Sequence, residues 1–250
     1  MFAELPPAVI TLMKDLADGL HKILNSRLVA VYLGGSIVTG DFAETASDLD
    51  FLVVIASELS AEDGLAVGLL HRDLRRRHKM AQRLQGDYAP VGLLVPEGTS
   101  EPVPGCEQGV FYPRVGEIML SADNIYNMRA HGLPFYGNPP REVLPAATSD
   151  HVRAAVLAML REGPGRCDTP AACAAEVLDL VRSLCALHEG TPVTKGVGAR
   201  WALVHLDPQW HPLIRSALAI RHGHGTPEDE KLLHAQMADL NAALRSEYLA

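Results

Sequence analysis

Two short segments carry the side chains best suited to catalysis. Gly34-Gly35-Ser36 ends one apolar run and Asp48-Leu49-Asp50 opens the next, with eleven residues between them. On a strand, residues i and i+2 share a face. Asp48 and Asp50 therefore present two carboxylates side by side, while Leu49 and Phe51 turn into a core. Two such charges repel unless a cation sits between them. Hard oxygen donors of this kind suit Mg²⁺, which keeps several waters and takes one or two carboxylates plus substrate phosphates. Glycines let a backbone approach phosphate closely, with exposed N–H groups to bind the anion, and the Ser36 and Ser47 hydroxyls add donors. The chemistry that fits is nucleotidyl transfer, in which positioning and electrostatics do most of the work. Taken apart, the first segment is a strand-end turn and the second a pair of solvated aspartates. Their short separation between two β-type runs makes the set specific.

The elements around these segments alternate early and turn helical late. Apolar residues at Val9, Leu12, Met13, Leu16, Leu20, Ile23 and Leu24 mark a helix over residues 6–24, opened by prolines. Leu28–Leu33 and Leu49–Ile55 read as buried strands, residues 37–46 as loop, and residues 61–80 as a helix. A third strand is expected within residues 83–94, with Pro90 marking an edge or a bend. Residues 96–109 read as a Pro- and Gly-rich loop, and a helix returns at 121–131 before the stop at Tyr136-Gly137-Asn138-Pro139-Pro140. Beyond it lie five helical patterns, over 151–161, 171–188, 194–205, 212–222 and 227–249. In the second, Val177, Leu178, Val181, Leu184, Cys185 and Leu187 form one apolar face. The fold class expected is α+β: a nucleotidyltransferase-type domain over 1–145, a mixed sheet flanked by helices, then a helical bundle over 146–250.

Composition narrows the partners. The chain has 250 residues, 48% of them apolar and 21% charged, which excludes a disordered polymer. Its formal charge of −8 argues against nucleic-acid binding, which needs a basic footprint. The one basic run, His71 to Lys79, reads as the solvated face of a helix. No apolar run is long enough to cross a bilayer, so no membrane partner is expected. The first residues carry no basic segment ahead of an apolar one, so no secretory signal is expected. Cys106, Cys167, Cys173 and Cys185 lack CxxC spacing, which argues against a zinc knuckle or a disulfide framework. The expectation is a reduced, cytoplasmic protein whose cysteines act as small hydrophobes.

The stretch LGGSIVTGDFAETASDLDFLVV resembles the signature of the DNA-polymerase-β-type nucleotidyltransferase superfamily. MRAHGLPFYGNPP and VLDLVRSLCALHEGTPVTKGVGARWALVHLDPQWHPLIRSALA are similar to segments of aminoglycoside 3″- and 9-adenylyltransferases. The resemblance runs from about residue 28 to about 225, leaving 96–118 unmatched. It implies a two-domain enzyme that binds ATP and Mg²⁺ in the interdomain cleft and adenylates a hydroxyl of a small cationic acceptor, an aminoglycoside or aminocyclitol. By the same resemblance Gly35, Ser36 and Ser47 hold the triphosphate and Asp48 and Asp50 the metal. Lys195 and Arg182 reach the phosphates from the second domain. Read alone, Lys195 is a solvated first-turn residue and Arg182 a surface ion pair.

The departures bear on function. Where the family carries a glutamate as general base, this chain has Gln85, and glutamine accepts no proton. Asp87 lies on the same strand face and either takes over the base or metal role or is an exposed strand carboxylate. Streptomycin-modifying members carry an acidic residue where Ala172 stands, with Asp168 displaced from that place, and a tryptophan in a loop that here has none. Phe111 and Tyr112 are stacking surfaces or packing residues. His131 reads as a helix-end residue, the His222-Gly223-His224 turn as solvent-exposed, and Trp201 and Trp210 as helical core. The reading is an adenylyltransferase. The alternatives are a degenerate nucleotide-binding regulator of the same fold, or an adenylyltransferase acting on another acceptor.

Overall fold

A computed structural model describes residues 5–44, 46–115, 120–163 and 167–249. Thr45 and residues 116–118, expected in loops, lie outside them. The described residues up to Phe42 and from Ser47 to Thr148 form one compact unit, and those from Ser149 onward, with the described residues of Ala43–Ala46, form a second.

The first unit is built on a six-stranded sheet of order β5-β4-β3-β2-β1-β6. Its strands are β1 (Leu28–Leu33), β2 (Leu49–Ile55), β3 (Leu84–Pro90), β4 (Val103–Glu107), β5 (Val110–Val115) and β6 (Leu133–Tyr136). β2 and β3 run parallel and the other neighbours antiparallel. The parallel step requires a crossover, which α3 (Ala61–Arg77) supplies. Ser60 and Asp63 cap α3 reciprocally, and Asp63 also takes both Arg27 guanidinium nitrogens at 2.6 and 2.7 Å. α1 (Pro7–Leu24) and α3 cover one sheet face, where Leu12, Met13, Leu16, Leu20, Phe51, Val53 and Tyr88 form the larger core. The other face buries Tyr32, Leu52, Val54 and Ala89 with Met128 of α4 (Ala122–His131) and Leu144, which follows α5 (Pro140–Val143).

Several expectations need correction. Ser36–Thr39 form one helical turn, α2, which takes in residues 37–39 of the stretch expected as loop. Residues 96–109 contain β4 and lead into β5. The two strands turn at Gln108 and Gly109, both at positive φ (50° and 73°), as a two-residue hairpin of this hand needs. Glutamine is an uncommon first residue there, which hid the turn. β6 escaped notice because its four residues are only half-buried on a sheet edge. The basic run is not all solvated. Leu74 is buried, and His71 is 1% exposed with its Nε2 2.5 Å from the Tyr88 hydroxyl. Burial pushes its imidazole down to about 4. Phe111 packs against His71 and Tyr88, whereas Tyr112 is exposed.

The second unit comprises α6 (Ser149–Glu162), α7 (Pro170–Glu189), α8 (Lys195–His205), α9 (His211–Arg221) and α10 (Pro227–Leu249). α7 packs against all four others, so Ala174, Leu180 and Ser183 are buried in addition to the predicted face. After the left-handed C-cap Gly190 the chain doubles back, and α8 runs alongside α7 in the same direction. Asp179 meets Lys195, Arg182 meets Gly198, and His188 meets Trp201. Cys167 and Cys173 form a disulfide across the turn into α7, correcting the expectation of four thiols. Cys106 and Cys185 are buried free thiols, as expected of small hydrophobes. Among the described residues no helix is long and apolar enough to cross a membrane.

Candidate active site

The Gly-Gly turn and the Asp-x-Asp segment meet in the first unit. Gly34 N–H donates to the Asp50 carbonyl at 2.8 Å, which ties the end of β1 to the start of β2. Gly35 follows at φ +69°, and a Cβ there would fall 1.7 Å from Asp50 Oδ2. The second glycine is therefore needed twice, for its backbone angle and for the carboxylate against it. Ser36 opens α2, half-buried. Ser47 is 6% exposed, and Arg83 Nη1 donates to its carbonyl at 3.2 Å, fixing the turn that leads into Asp48. Asp48 is exposed and Asp50 half-buried, while Leu49 and Phe51 are fully buried, as the alternation requires. Sequence reasoning missed Arg83; it lies far along the chain with no local signal.

Register settles what stands beside the aspartates. Parallel pairing sets Asp50 against Gln85 and Leu52 against Asp87. Asp50, Gln85 and Asp87 all share the face of Leu52, Val54 and Ala89. Gln85 is thus level with Asp50, and Asp87 stands one pleat further along, about 7 Å by strand rise. Asp87 has no solvent exposure, so it is not the exposed strand carboxylate of the blander expectation.

The donor set fits a hard cation. Asp48 and Asp50 provide two carboxylates, with the Gln85 amide in line with Asp50. Among the described residues no three or more His, Cys, Asp or Glu side chains gather to hold a metal by themselves. Mg²⁺ takes one or two carboxylates and completes its shell with waters and substrate phosphates.

In the second unit, the two expected cations share one carboxylate. Arg182 Nε lies 2.7 Å from Asp179 Oδ1 and Lys195 Nζ 2.8 Å from Asp179 Oδ2. Burial works against the Asp179 charge, but the Arg182 and Lys195 charges and their hydrogen bonds outweigh it and hold its carboxyl below the ordinary range. Thr194 caps α8 by accepting from Val197 N–H, placing Lys195 in the first helical position. Gly198 lets the helices touch, since a Cβ there would fall 2.4 Å from Arg182 Cα. Sequence reasoning missed Asp179, though an acidic residue within an apolar helical stretch, three before Arg182, was a usable signal. Trp201 is buried and Trp210 half-buried, while His131, His222 and His224 are exposed at helix ends.

Two family models match the chain. The nucleotidyltransferase domain matches residues 15–97, and the C-terminal domain of aminoglycoside adenylyltransferase matches residues 142–246. No curated protein matches. Among solved structures, the spectinomycin adenyltransferase AAD(9) from Enterococcus faecialis, solved with ATP and spectinomycin, superposes with a TM-score of 0.76. The match covers 94% of this chain and 98% of that one at 17% identity, so the likeness is one of fold. A nucleotidyltransferase domain followed by an aminoglycoside-adenylyltransferase C-terminal domain makes this chain an aminoglycoside adenylyltransferase-like nucleotidyltransferase.

Proposed function

We propose that the protein transfers AMP from ATP, with Mg²⁺, to a hydroxyl of a small cationic acceptor of the aminoglycoside or aminocyclitol class. The observation that carries this is the contact between the two motif halves: Gly35 packed against the Asp50 carboxylate, with β3 in register beside it. The reading divides the chain into a nucleotidyltransferase domain over 1–145 and a helical domain over 146–250, in a cytoplasmic enzyme.

In this reading the Gly35 backbone and the Ser36 and Ser47 hydroxyls hold the triphosphate. Asp48 and Asp50 would hold Mg²⁺, which when bound neutralises phosphate charge and orients the reacting oxygens. Arg182 and Lys195 supply positive charge to the phosphates, with Asp179 fixing their side chains beforehand. Asp87 takes the proton of the attacking hydroxyl, Gln85 being unable to. Oxygen of the acceptor bonds to the α-phosphorus and pyrophosphate leaves.

A second reading has its own support. Gln85 is the residue level with Asp50, and Asp87 is fully buried. A protein that binds nucleotide but turns it over slowly or not at all fits that pair. Pyrophosphate release from ATP and Mg²⁺ across an aminoglycoside and aminocyclitol panel, with mass spectrometry for an added AMP, separates the two. Release with one compound, lost in Asp50→Asn, supports the enzyme and supplies its acceptor. ATP binding with silence across the panel supports the second reading, or an acceptor of another class.

A further inference from the structure

The ends of α7 and α8 carry a constellation that nucleotidyl transfer does not use. His188 stands in the last turn of α7 and His205 in the last turn of α8. Because α8 runs alongside α7 in the same direction, the two imidazoles come together, with ring centres 5.5 Å apart and planes inclined by 48°. Trp201 completes the group, stacked on His205 at 4.8 Å and 5.7 Å from His188.

Hydrogen bonding sets the tautomer of both rings. His205 Nδ1 lies 2.9 Å from the Trp201 carbonyl, and His188 Nδ1 lies 3.0 Å from Glu189 Oε1. A carbonyl and a carboxylate only accept, so each Nδ1 is the donor. Nε2 of each ring is then the nitrogen left to act as a ligand atom. An imidazole held by its Nδ1–H on an oxygen is the usual form of a metal-bound histidine, and the acceptor makes the ring a better ligand.

Spacing and charge agree with this. An ion held by two Nε2 atoms at about 2.0–2.1 Å, with a tetrahedral or slightly wider angle, places the ring centres about 5–6 Å apart. The 5.5 Å separation falls within that range. Two helix C-termini converge here, and their carbonyl ends favour a cation. Both histidines are exposed, so an ion can reach them from solvent. The protein offers only two ligands, so water completes the shell.

We infer that His188 and His205 form a binding site for a borderline divalent transition metal, Zn²⁺ or Cu²⁺, distinct from the Mg²⁺ carboxylates. Imidazole nitrogens select such metals over Mg²⁺, with Cu²⁺ bound more tightly than Zn²⁺.

The test titrates Zn²⁺ into the full chain by calorimetry and follows Trp201 emission on adding Cu²⁺, in a Trp210→Phe background. One site per chain is expected, with quenching by Cu²⁺. His188→Gln and His205→Gln should each weaken Zn²⁺ binding roughly tenfold or more and abolish quenching, by analogy with ligand-shell losses elsewhere. Asp48→Asn combined with Asp50→Asn should leave both signals in place. Binding unchanged in the histidine variants, or carried by the aspartates, overturns the site. Should a variant fail to fold, the unaltered chain still decides. Zn²⁺ must then shift two of the eleven histidine ring resonances, and a spectrum that does not move overturns the inference.

Discussion

Gly35 and Asp50 touch so closely that no side chain fits between them: a Cβ on the glycine would lie 1.7 Å from the Asp50 carboxylate oxygen. The Gly-Gly turn and the Asp50 carboxylate are thus one packed unit. Gly34 N–H on the Asp50 carbonyl, at 2.8 Å, fastens the same pair through the backbone.

Gly35→Ala follows directly. Alanine at φ +69° is strained, by about 1–3 kcal/mol for such backbone positions, and the added methyl displaces Asp50. The expected outcome is a lower midpoint in chemical denaturation together with lost pyrophosphate release. A variant with unaltered turnover would show that the Asp50 position is not critical.

Gln85→Glu restores a carboxylate level with Asp50 on the neighbouring strand. General-base catalysis is worth ~10²–10⁴ in rate, so turnover should rise by that order if the base is missing. If Asp87 already serves, the change should be small and Asp87→Asn should abolish activity instead. Measuring kcat for the two variants with ATP and acceptor divides the possibilities, and an Asp87→Asn enzyme of full activity excludes Asp87 as base.

Gly198→Ala tests the second unit. Its methyl would meet the Arg182 backbone at 2.4 Å, so α8 must move and carry Lys195 away from Asp179. Overpacking of this kind costs about 1–3 kcal/mol. KM for ATP should rise more than kcat falls, because the two cations would bind phosphate without their preset geometry. An unchanged KM would dissociate Lys195 from nucleotide binding.

His71 gives a pH dependence with a definite sign. Burial lowers its folded-state value from 6.5 to about 4, so the unfolded chain binds the proton more readily. The stability is present in full above 6.5 and is lost as pH falls toward 4, up to roughly 3 kcal/mol. Denaturation midpoints at pH 7 and pH 5 should therefore differ more in the natural chain than in His71→Leu. Tyr88→Phe, which removes the partner of His71 Nε2, should cost about 1–3 kcal/mol at pH 7. Equal pH slopes with and without His71 would contradict its neutral burial.

The amino-acid sequence by itself determined the elements that bury an apolar stripe, because periodicity and β-branched runs are local. β1, β2 and α7 stand where their patterns put them, and the alternation of Asp48 and Asp50 with Leu49 and Phe51 sets their faces. It also carried the Gly35 and Asp50 types on which the proposed site rests. Only the tertiary structure decided what depends on pairing between distant segments. Strand register made Gln85 the neighbour of Asp50 and buried Asp87 beyond it. The doubling back after Gly190 joined Asp179 to Lys195 and His188 to His205. The β4–β5 hairpin and the Cys167–Cys173 disulfide were likewise hidden, since neither showed the sequence pattern that commonly marks its kind. A side chain's own chemistry is written at its position, but its neighbour across a sheet or a helix pair is set by how the whole chain packs.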